Sequence, residues 1–350
     1  MNATDIFKGE LLKHTKEHEQ EEFVSRWNAL SQKCSDNDLK IETLFSWYLT
    51  YLNPVTSKEK MEKRLVTWFK NLNKTPLEYL KGVEDFYNAY CEVLEMQDRH
   101  AYLLSYKDDD DLCVILCASL LHRYSDQEIE ALKELLVKFY YQHWVAKKPK
   151  DQREQTCCNI IKALKEKKSM EHIVSIARKN LDEYSVTQHF KENLRDDHLY
   201  EKHKKSSKNS WLRPILILVE YFMSDDDCPK RIQMDKNLHV EHILPQEPTL
   251  SSQWAKDFSE EERERYTHSL ANLTLLGGKK NTEASNLDFK EKKEIYMGKP
   301  VVLDNKETFK VMTCYKMTID IAHHYTEWTP KSLEKREKEL IKIIESVLTL

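Results

Sequence analysis

Residues 240–246 read Val-Glu-His-Ile-Leu-Pro-Gln and end a β-type run that covers 238–244. This stretch sets a histidine beside a carboxylate at the end of a predicted strand, and asparagines follow at positions 272 and 281. Histidine can take a proton from water, while carboxylate and amide oxygens bind hard divalent ions. Hydrolysis of a phosphodiester needs both abilities. The stretch therefore predicts a hydrolytic site that is built on a β-strand.

The composition favours a mainly α protein with room for two domains of ordinary size. Of the 350 residues, 33% are charged and 40% are hydrophobic, and only 5 glycines and 9 prolines interrupt the potential helices. The net charge of −4 provides no bulk positive field. Any attraction to phosphate must therefore come from local patches.

The cysteines and the apolar segments indicate where the protein works. The eight cysteines show no paired spacing of the kind that metal sites use, so neither a structural zinc site nor a disulfide framework is expected. The N-terminal residues are polar, unlike a signal peptide, and the longest apolar stretch, around 211–223, is too short to span a bilayer. We therefore expect a cytoplasmic protein that does not contact a membrane.

We expect residues 1–225 to form a helical domain of successive amphipathic helices. The clearest helix covers 126–146, where Ser125 and Glu128 form a capping box and Pro149 follows the end. Aromatic residues of this domain recur at helical spacing, which favours helix cores over a base-stacking surface.

Residues 226–350 are predicted to form an α+β domain after an acidic linker at 225–229. Its elements, in order, are a β-like run at 238–244, a short helix capped by Ser259 and Glu262, a second β-like run at 271–276, a helical segment at 281–296, and a terminal helix that begins at Thr329-Pro330 with an inward stripe of Leu333, Leu340, Ile344 and Val347. The order around His242 is therefore β-β-α.

The residue types around His242 suit metal-dependent hydrolysis. We predict that His242 is the general base, because an imidazole titrates near neutrality. Glu241 and Asn281 are the predicted ligands of Mg²⁺ or Mn²⁺, since both offer oxygen donors. His239 shares a strand face with Glu241 and is the rival ligand. His242 leaves the strand opposite to Glu241, so the two side chains are not both expected to point into a core.

Two further polar residues accompany the second β-like run. The amide of Asn272 can both donate and accept, which suits bracing the loop that carries His242. His268 precedes this run and either orients phosphate or caps a helix.

Two lysine-rich segments are candidates for phosphate contacts. The first follows the second β-like run and consists of Lys279, Lys280, Lys290, Lys292 and Lys293; the second contains no acid and consists of Lys202, Lys204, Lys205, Lys208 and Arg213. For each segment, a solvated helix face or loop is an equal alternative.

The pattern of histidine, proline and asparagines resembles the His-Me finger (HNH) nucleases. It looks more closely like the C-terminal nuclease domain of GmrSD-type (type IV) restriction endonucleases, in which relatives often have glycine where Ala271 stands. The residues that carry this resemblance are 242–246, Trp254, 268–276, Asn281, Ser285-Asn286, Phe289, Lys292-Lys293, Trp328-Thr329 and Arg336. The resemblance implies a ββα-metal core and a metal-dependent DNA endonuclease that restricts phage DNA, often modified.

The resemblance also bears on partners. Residues 2–12 look like the segment that follows a ParB-like nucleotide-hydrolysing domain in two-part relatives, so an upstream or separate NTPase or sensor domain is one possibility, and a free-standing chain is the other. The oligomeric state stays open. The alternative functions are a nucleic-acid-binding or assembly subunit with a vestigial nuclease site, and a toxin-like nuclease that acts on RNA.

Overall fold

The computed structural model describes residues 2–204, 209–224, 226, 229–298, 301–302, 308–309 and 315–350. Within these ranges the chain is mainly helical, which confirms the prediction from composition. Of the predicted linker, only Asp226 and Pro229 lie within the described residues. Contacts divide the chain into one unit of residues 1–96, 107–136 and 149–184 and a second unit of residues 97–106, 137–148 and 185–350.

The first unit is built from helices whose apolar faces form its core. They are α1 (Ala3–Lys13), α2 (Gln20–Asp36), α3 (Ile41–Leu52), α4 (Met61–Leu72), α5 (Pro76–Leu94), α7 (Asp110–Leu121), α9 (Asp151–Lys165) and α10 (Met170–Glu183), with a 3₁₀ turn at Glu17–Glu19. Phe45 and Phe86 are fully buried, and the ring of Phe7 meets that of Phe45 edge-on at 6.0 Å between centroids. These aromatic residues therefore belong to helix cores, as their spacing predicts.

Helix α8 (Asp126–Val145) forms where the capping box predicts it. The backbone N–H of Ser125 donates to the Glu128 carboxylate at 2.8 Å, and the N–H of Glu128 donates to the Ser125 hydroxyl at 3.4 Å. These two bonds satisfy backbone donors that a helix leaves open at its first turn.

The second unit contains the remaining elements. They are α6 (Arg99–Ser105), α11 (Val186–Leu194), α12 (Leu199–Lys204), α13 (Leu212–Met223), β1 (Leu238–His242), α14 (Gln253–Asp257), α15 (Glu260–Tyr266), a 3₁₀ turn (Leu270–Asn272), β2 (Leu273–Gly277), α16 (Gly278–Ala284), α17 (Phe289–Tyr296), β3 (Val301–Val302), β4 (Thr308–Phe309), α18 (Lys316–His324) and α19 (Pro330–Leu348). No helix among the described residues is long and apolar enough to cross a bilayer.

The predicted domain boundary at 225/226 falls inside the second unit, because α13 packs against later helices. The carboxylate of Glu220, on α13, accepts hydrogen bonds from the backbone N–H groups of Lys316 and Met317 at 2.7 and 2.9 Å. These donors stand at the first turn of α18, where a helix has N–H groups without an internal partner. The helices just before residue 225 therefore fold with the second half of the chain.

Strands β1 and β2 pair antiparallel and carry the motif. Glu241 lies opposite Thr274 and His242 opposite Leu273, and α16 follows β2 directly and packs against both strands. The first strand ends at His242, two residues earlier than predicted, and Leu270–Asn272 is a 3₁₀ turn in place of the start of the second strand. Helices α14 and α15 lie between the two strands in the chain, so β1, β2 and α16 follow in β-β-α order only when this insertion is left aside.

Both faces of β1 are covered, which corrects the expectation that Glu241 and His242 cannot both be buried. Glu241 is 4% exposed and His242 is 6% exposed. Helix α17 lies over the Glu241 face, and Tyr200 of α12 lies over the His242 face. The two faces of the strand are therefore each covered by a different helix.

Large aromatic side chains form the core beside these strands. Trp254, Trp328, Tyr296 and Phe289 belong to it, together with Ile243 and Leu244 from the end of β1. Along α19 the buried stripe runs through Leu333, Arg336, Leu340, Ile341, Ile344 and Leu348. Leu348 therefore takes the inward place that the sequence assigns to Val347, and the charged Arg336 is an unexpected member of the stripe.

Candidate functional site

A cavity of about 740 Å³ opens beside the end of β1. Among the predicted site residues it is lined by Glu241, His242 and Asn281. Its other wall comes from α12 and the first turn of α13, including Tyr200, His203, Lys204, Ser210, Leu212 and Arg213. The fold thus brings the predicted base and both predicted metal ligands to one cavity, whose volume lies within the usual range of ligand sites.

His242 is a buried, neutral imidazole in this cavity. Its ring meets the Tyr200 ring edge-on with centroids 4.2 Å apart, and the Gln246 side-chain amide lies 3.5 Å from Nδ1. Nε2 has no hydrogen-bond partner among the described residues. Burial, helped by the positive charges of neighbouring His268, Lys292 and Lys204, lowers the pKa of His242 to about 3. The neutral ring therefore keeps one nitrogen lone pair that can accept a proton.

Glu241 is held by a buried ion pair. The ammonium of Lys292 donates to Oε1 at 2.7 Å, and the Tyr296 hydroxyl donates to the same oxygen at 3.1 Å. Lys292 also donates to the backbone carbonyl of His242 at 2.7 Å. Burial raises the pKa of Glu241 and lowers that of Lys292, and the charge of each partner opposes the shift. The pair ties α17 to the residue that carries the imidazole.

Lys292 is 0% exposed, so this geometry assigns it to holding Glu241 and not to the predicted contact with nucleic acid. Two other predicted phosphate ligands also have bonded ammonium groups. Lys280 is buried and donates to the Ile295 carbonyl at 2.9 Å, and Lys293 donates to the Tyr325 carbonyl at 2.7 Å. Lys279 is exposed, and none of these four lysines lines the cavity as the structure describes it. The predicted cluster is therefore mostly structural.

Asn281 projects from α16 with an unused oxygen. Its Oδ1 is buried and has no hydrogen-bond partner in the described part of the chain. An orphan amide oxygen is an available ligand for a hard cation.

His239, the rival ligand, also lines the cavity, but its Nε2 lies 2.9 Å from the Lys236 carbonyl oxygen. A Cβ on Gly278 would come within 3.1 Å of this nitrogen, so the glycine lets α16 begin close to β1.

Asn272 makes the contacts that a brace needs. It is 0% exposed, and its Oδ1 accepts from the Leu244 N–H at 2.7 Å and from Trp328 Nε1 at 3.2 Å. Its Nδ2 donates to the carbonyls of Leu244 at 2.8 Å and Thr267 at 2.9 Å. One side chain thereby fixes the chain just beyond His242, which makes Asn272 a positioning residue.

Replacing Asn272 with alanine is expected to lower the free energy of unfolding by about 2–4 kcal/mol, because buried partners of the amide lose their bonds. Urea denaturation of the wild type and the variant measures this difference. Asn286→Ala changes an exposed asparagine and serves as the control. A loss below about 1 kcal/mol would show that the brace is not needed for folding.

His268 lies behind His242 and does not line the cavity in the described residues. Its ring stacks on Tyr200 at 5.9 Å and 11°, and its Nε2 is 3.6 Å from Glu201 Oε1. The backbone carbonyl of His268 accepts from the Tyr200 N–H at 3.0 Å. His268 therefore supports the tyrosine that contacts the His242 ring, and its contact with phosphate stays a prediction.

Arg336 is a structural contributor that sequence reasoning did not assign to the site. Its buried Nη1 donates to the carbonyls of Ala271 and Leu273, the latter at 2.9 Å, so it holds both neighbours of Asn272. Its guanidinium lies 5.8 Å from the centre of the Trp328 ring. The sequence signals were its place among the residues that carry the family resemblance and its position, as an arginine, in the apolar stripe of α19.

His203 lines the same cavity and is a pH-sensitive element of the fold. It is 7% exposed, and burial lowers its pKa from the ordinary value of 6.5 to about 4. Because the folded form binds a proton less readily than the unfolded form, stability is lost as the pH falls through 6.5 toward 4. The expected loss between about pH 7.5 and about pH 5 is roughly 2 kcal/mol.

Unfolding free energies of the wild type and His203→Gln at both pH values measure the contribution of this residue. The difference between the two proteins should change by roughly 2 kcal/mol across the interval, since glutamine does not titrate. The same pH dependence in both proteins would rule out His203 as its source.

The comparisons with known proteins concern the segment that contains the cavity. Residues 184–343 match the family model of GmrSD restriction endonucleases, C-terminal domain, which confirms the resemblance seen in the sequence. No curated protein matches the chain. The matched segment contains every residue that lines the cavity. Residues 184–343 are therefore similar to the C-terminal domain of GmrSD restriction endonucleases.

Proposed function

We propose that this chain is a metal-dependent DNA endonuclease in which His242 is the general base. The observation that carries the proposal is the placement of a neutral His242 and the unpartnered Oδ1 of Asn281 in one cavity of a GmrSD-type domain. The β-β-α order of β1, β2 and α16 supports the further proposal that these elements form a ββα-metal core of the His-Me finger type.

The residues present fit a divalent cation such as Mg²⁺ or Mn²⁺. Among the described residues, Asn281 offers a side-chain oxygen without a hydrogen-bond partner. Glu241 offers a carboxylate on the same cavity, and the hydrogen bonds from Lys292 and Tyr296 are both accepted by its Oε1. When bound, the ion supplies charge stabilisation at the phosphoryl group and at the leaving 3′ oxygen. Lys292 neutralises part of the carboxylate charge, so a modest affinity for the ion is expected.

The other steps belong to the chain itself. His242 accepts the proton of the attacking water on its free ring nitrogen, and Tyr200 and the Asn272 brace hold the imidazole in place. Burial lowers the pKa of the ring, so the imidazole is unprotonated at neutral pH and has a free lone pair. The expected products carry 5′-phosphate and 3′-hydroxyl ends.

The wider role follows from the family and rests on its name as a restriction endonuclease. We propose phage DNA, often modified, as the substrate and the cytoplasm as the place of action, with sensing shared with an NTPase domain or partner. Residues 226–350 hold the catalytic side of the cavity, and the helical region contributes its opposite wall. Comparing the rates at which the protein cleaves DNA and RNA of the same sequence distinguishes this proposal from the alternative of a toxin-like nuclease that acts on RNA.

Cleavage of plasmid and phage genomic DNA, modified and unmodified, with Mg²⁺, Mn²⁺ or EDTA tests the proposal. Cutting that requires the ion and returns when excess metal is added is expected. Calorimetric binding of Mn²⁺ to wild type and Asn281→Ala tests the metal site without activity. Cutting in EDTA, or Mn²⁺ binding unchanged by the substitution, would overturn the metal assignment.

A further inference from the structure

The cavity has a second wall that the proposed chemistry does not use. We define the basic wall as Lys204, Ser210 and Arg213, which line the cavity opposite the motif strand. Lys205 and Lys208, from the same lysine-rich segment, lie outside the described residues. Two cations of the described part of this segment, Lys204 and Arg213, therefore line the cavity that contains His242.

The two cations of this wall differ from the lysines that follow β2. Among the described residues, no carboxylate lies within 4.0 Å of the ammonium of Lys204 or the guanidinium of Arg213. Within the same residues, Arg213 donates one long side-chain hydrogen bond, 3.4 Å, to the backbone carbonyl of Asp235. Lys292, Lys280 and Lys293 have bonded ammonium groups. The charge available to a ligand is therefore on the basic wall.

The acidic groups of the cavity leave this wall positive. Glu241 is neutralised by Lys292. The Asp235 carboxylate accepts from the N–H of Asn237 at 2.7 Å and from its side chain at 3.3 Å, but these donors are neutral and do not cancel its charge, and Glu247 is the remaining acid of the lining. Because Lys236 is an additional exposed cation, an anion that enters from solvent meets three lining cations, Lys204, Arg213 and Lys236, against two carboxylates without a cationic partner in the described part of the chain.

Polar donors stand beside the cations. The Ser210 hydroxyl lies 3.0 Å from His203 Nδ1, and His203 Nε2 has no partner among the described residues. When the hydroxyl donates to Nδ1, a neutral imidazole carries its proton on Nε2 and becomes a donor. The first turn of α13, which contains Arg213, adds the positive end of a helix.

We propose that Lys204, Ser210 and Arg213 bind a backbone phosphate of the nucleic-acid strand, adjacent to the phosphate that is cleaved. A guanidinium and an ammonium are the side chains that phosphate contacts most often use. The strand lies with one phosphate at His242 and the neighbouring one at the basic wall. This inference rests on the proposed function for the position of the cleaved bond, but binding can be measured without cleavage.

The test measures binding of short fluorescent DNA, single-stranded and duplex, by full-length protein in EDTA. The variants Lys204→Gln, Arg213→Gln and their combination are compared with the wild type and with Lys331→Gln, which removes an exposed lysine of α19. Each single substitution, Lys204→Gln or Arg213→Gln, should raise the dissociation constant for DNA roughly tenfold. The slope of log affinity against log salt should fall by about 0.7–0.9 for each charge removed.

Unchanged affinity and salt dependence in the double variant would overturn the basic wall. If binding depends on these residues but no cleavage occurs, the phosphate-binding role of the basic wall is supported and the nuclease proposal is wrong. If His242-dependent cleavage occurs with unchanged kcat/KM in the double variant, the nuclease proposal is supported and the phosphate-binding role of the basic wall is wrong. Equal losses in Lys331→Gln would show a nonspecific charge effect and would also overturn the proposal.

Discussion

Replacing His242 with alanine is expected to lower the rate of DNA cleavage by roughly 10²–10⁴-fold, the usual contribution of a positioned general base. The imidazole lines the cavity, and its Nε2 has no hydrogen-bond partner among the described residues, so its removal deprives the attacking water of this proton acceptor. The fold should persist, because the backbone pairing of residue 242 with Leu273 does not depend on the ring. Plasmid cleavage with Mg²⁺ or Mn²⁺ provides the measurement.

The matched control is His189→Ala, which removes an exposed histidine of α11. Circular dichroism at rising temperature shows whether each variant is folded. Cleavage at the wild-type rate by a folded His242→Ala protein would show that His242 is not the general base or that a contaminating nuclease is present. Cleavage lost in both variants would show that the loss is not specific to the site.

Replacing Lys292 with methionine is expected to reduce the free energy of unfolding by about 3–5 kcal/mol, the usual cost of leaving one buried charge without its partner. Methionine keeps most of the side-chain length but removes the ammonium that bonds to Glu241 and to the His242 carbonyl. The stability loss should be accompanied by a loss of activity, because the imidazole-bearing residue is no longer tied to α17. Urea denaturation and plasmid cleavage measure the two effects.

Two further variants separate the ion pair from general effects. Lys290→Met changes an exposed lysine of the same helix and should cost less than about 0.5 kcal/mol. The double variant Glu241→Gln/Lys292→Met removes both charges and should regain part of the stability, since no uncompensated charge remains. If the double variant is less stable than Lys292→Met alone, the loss comes from packing and the ion-pair explanation is incorrect.

Local signals in the sequence were sufficient for many of the elements. The capping boxes at Ser125 and Ser259 mark helix starts because their bonds form within one turn of chain. The paired β-like runs and the following helix were also predictable, because alternation and glycine breaks are local properties. The grouping of His242, Glu241 and Asn281 at one cavity followed from this order.

Long-range packing decided the rest. Whether a lysine is solvated or buried depends on the element that covers it, and Lys292 and the exposed Lys290 look alike in sequence. The burial of both Glu241 and His242 required α17 and α12 to cover opposite faces of β1, which alternation alone does not reveal. The domain boundary shifted for the same reason, because Glu220 caps a helix that begins 96 residues later in the chain.

The bonds from Arg336 and Trp328 have a consequence for protein synthesis. Both residues reach back to the turn at Asn272, over separations of 65 and 56 residues. A ribosome that has made β1, β2 and α16 has therefore produced all three chemical groups of the cavity, but not the anchors that fix their spacing. If the proposed function is correct, the nascent chain is not expected to cleave DNA until translation has passed residue 336 and α19 has docked.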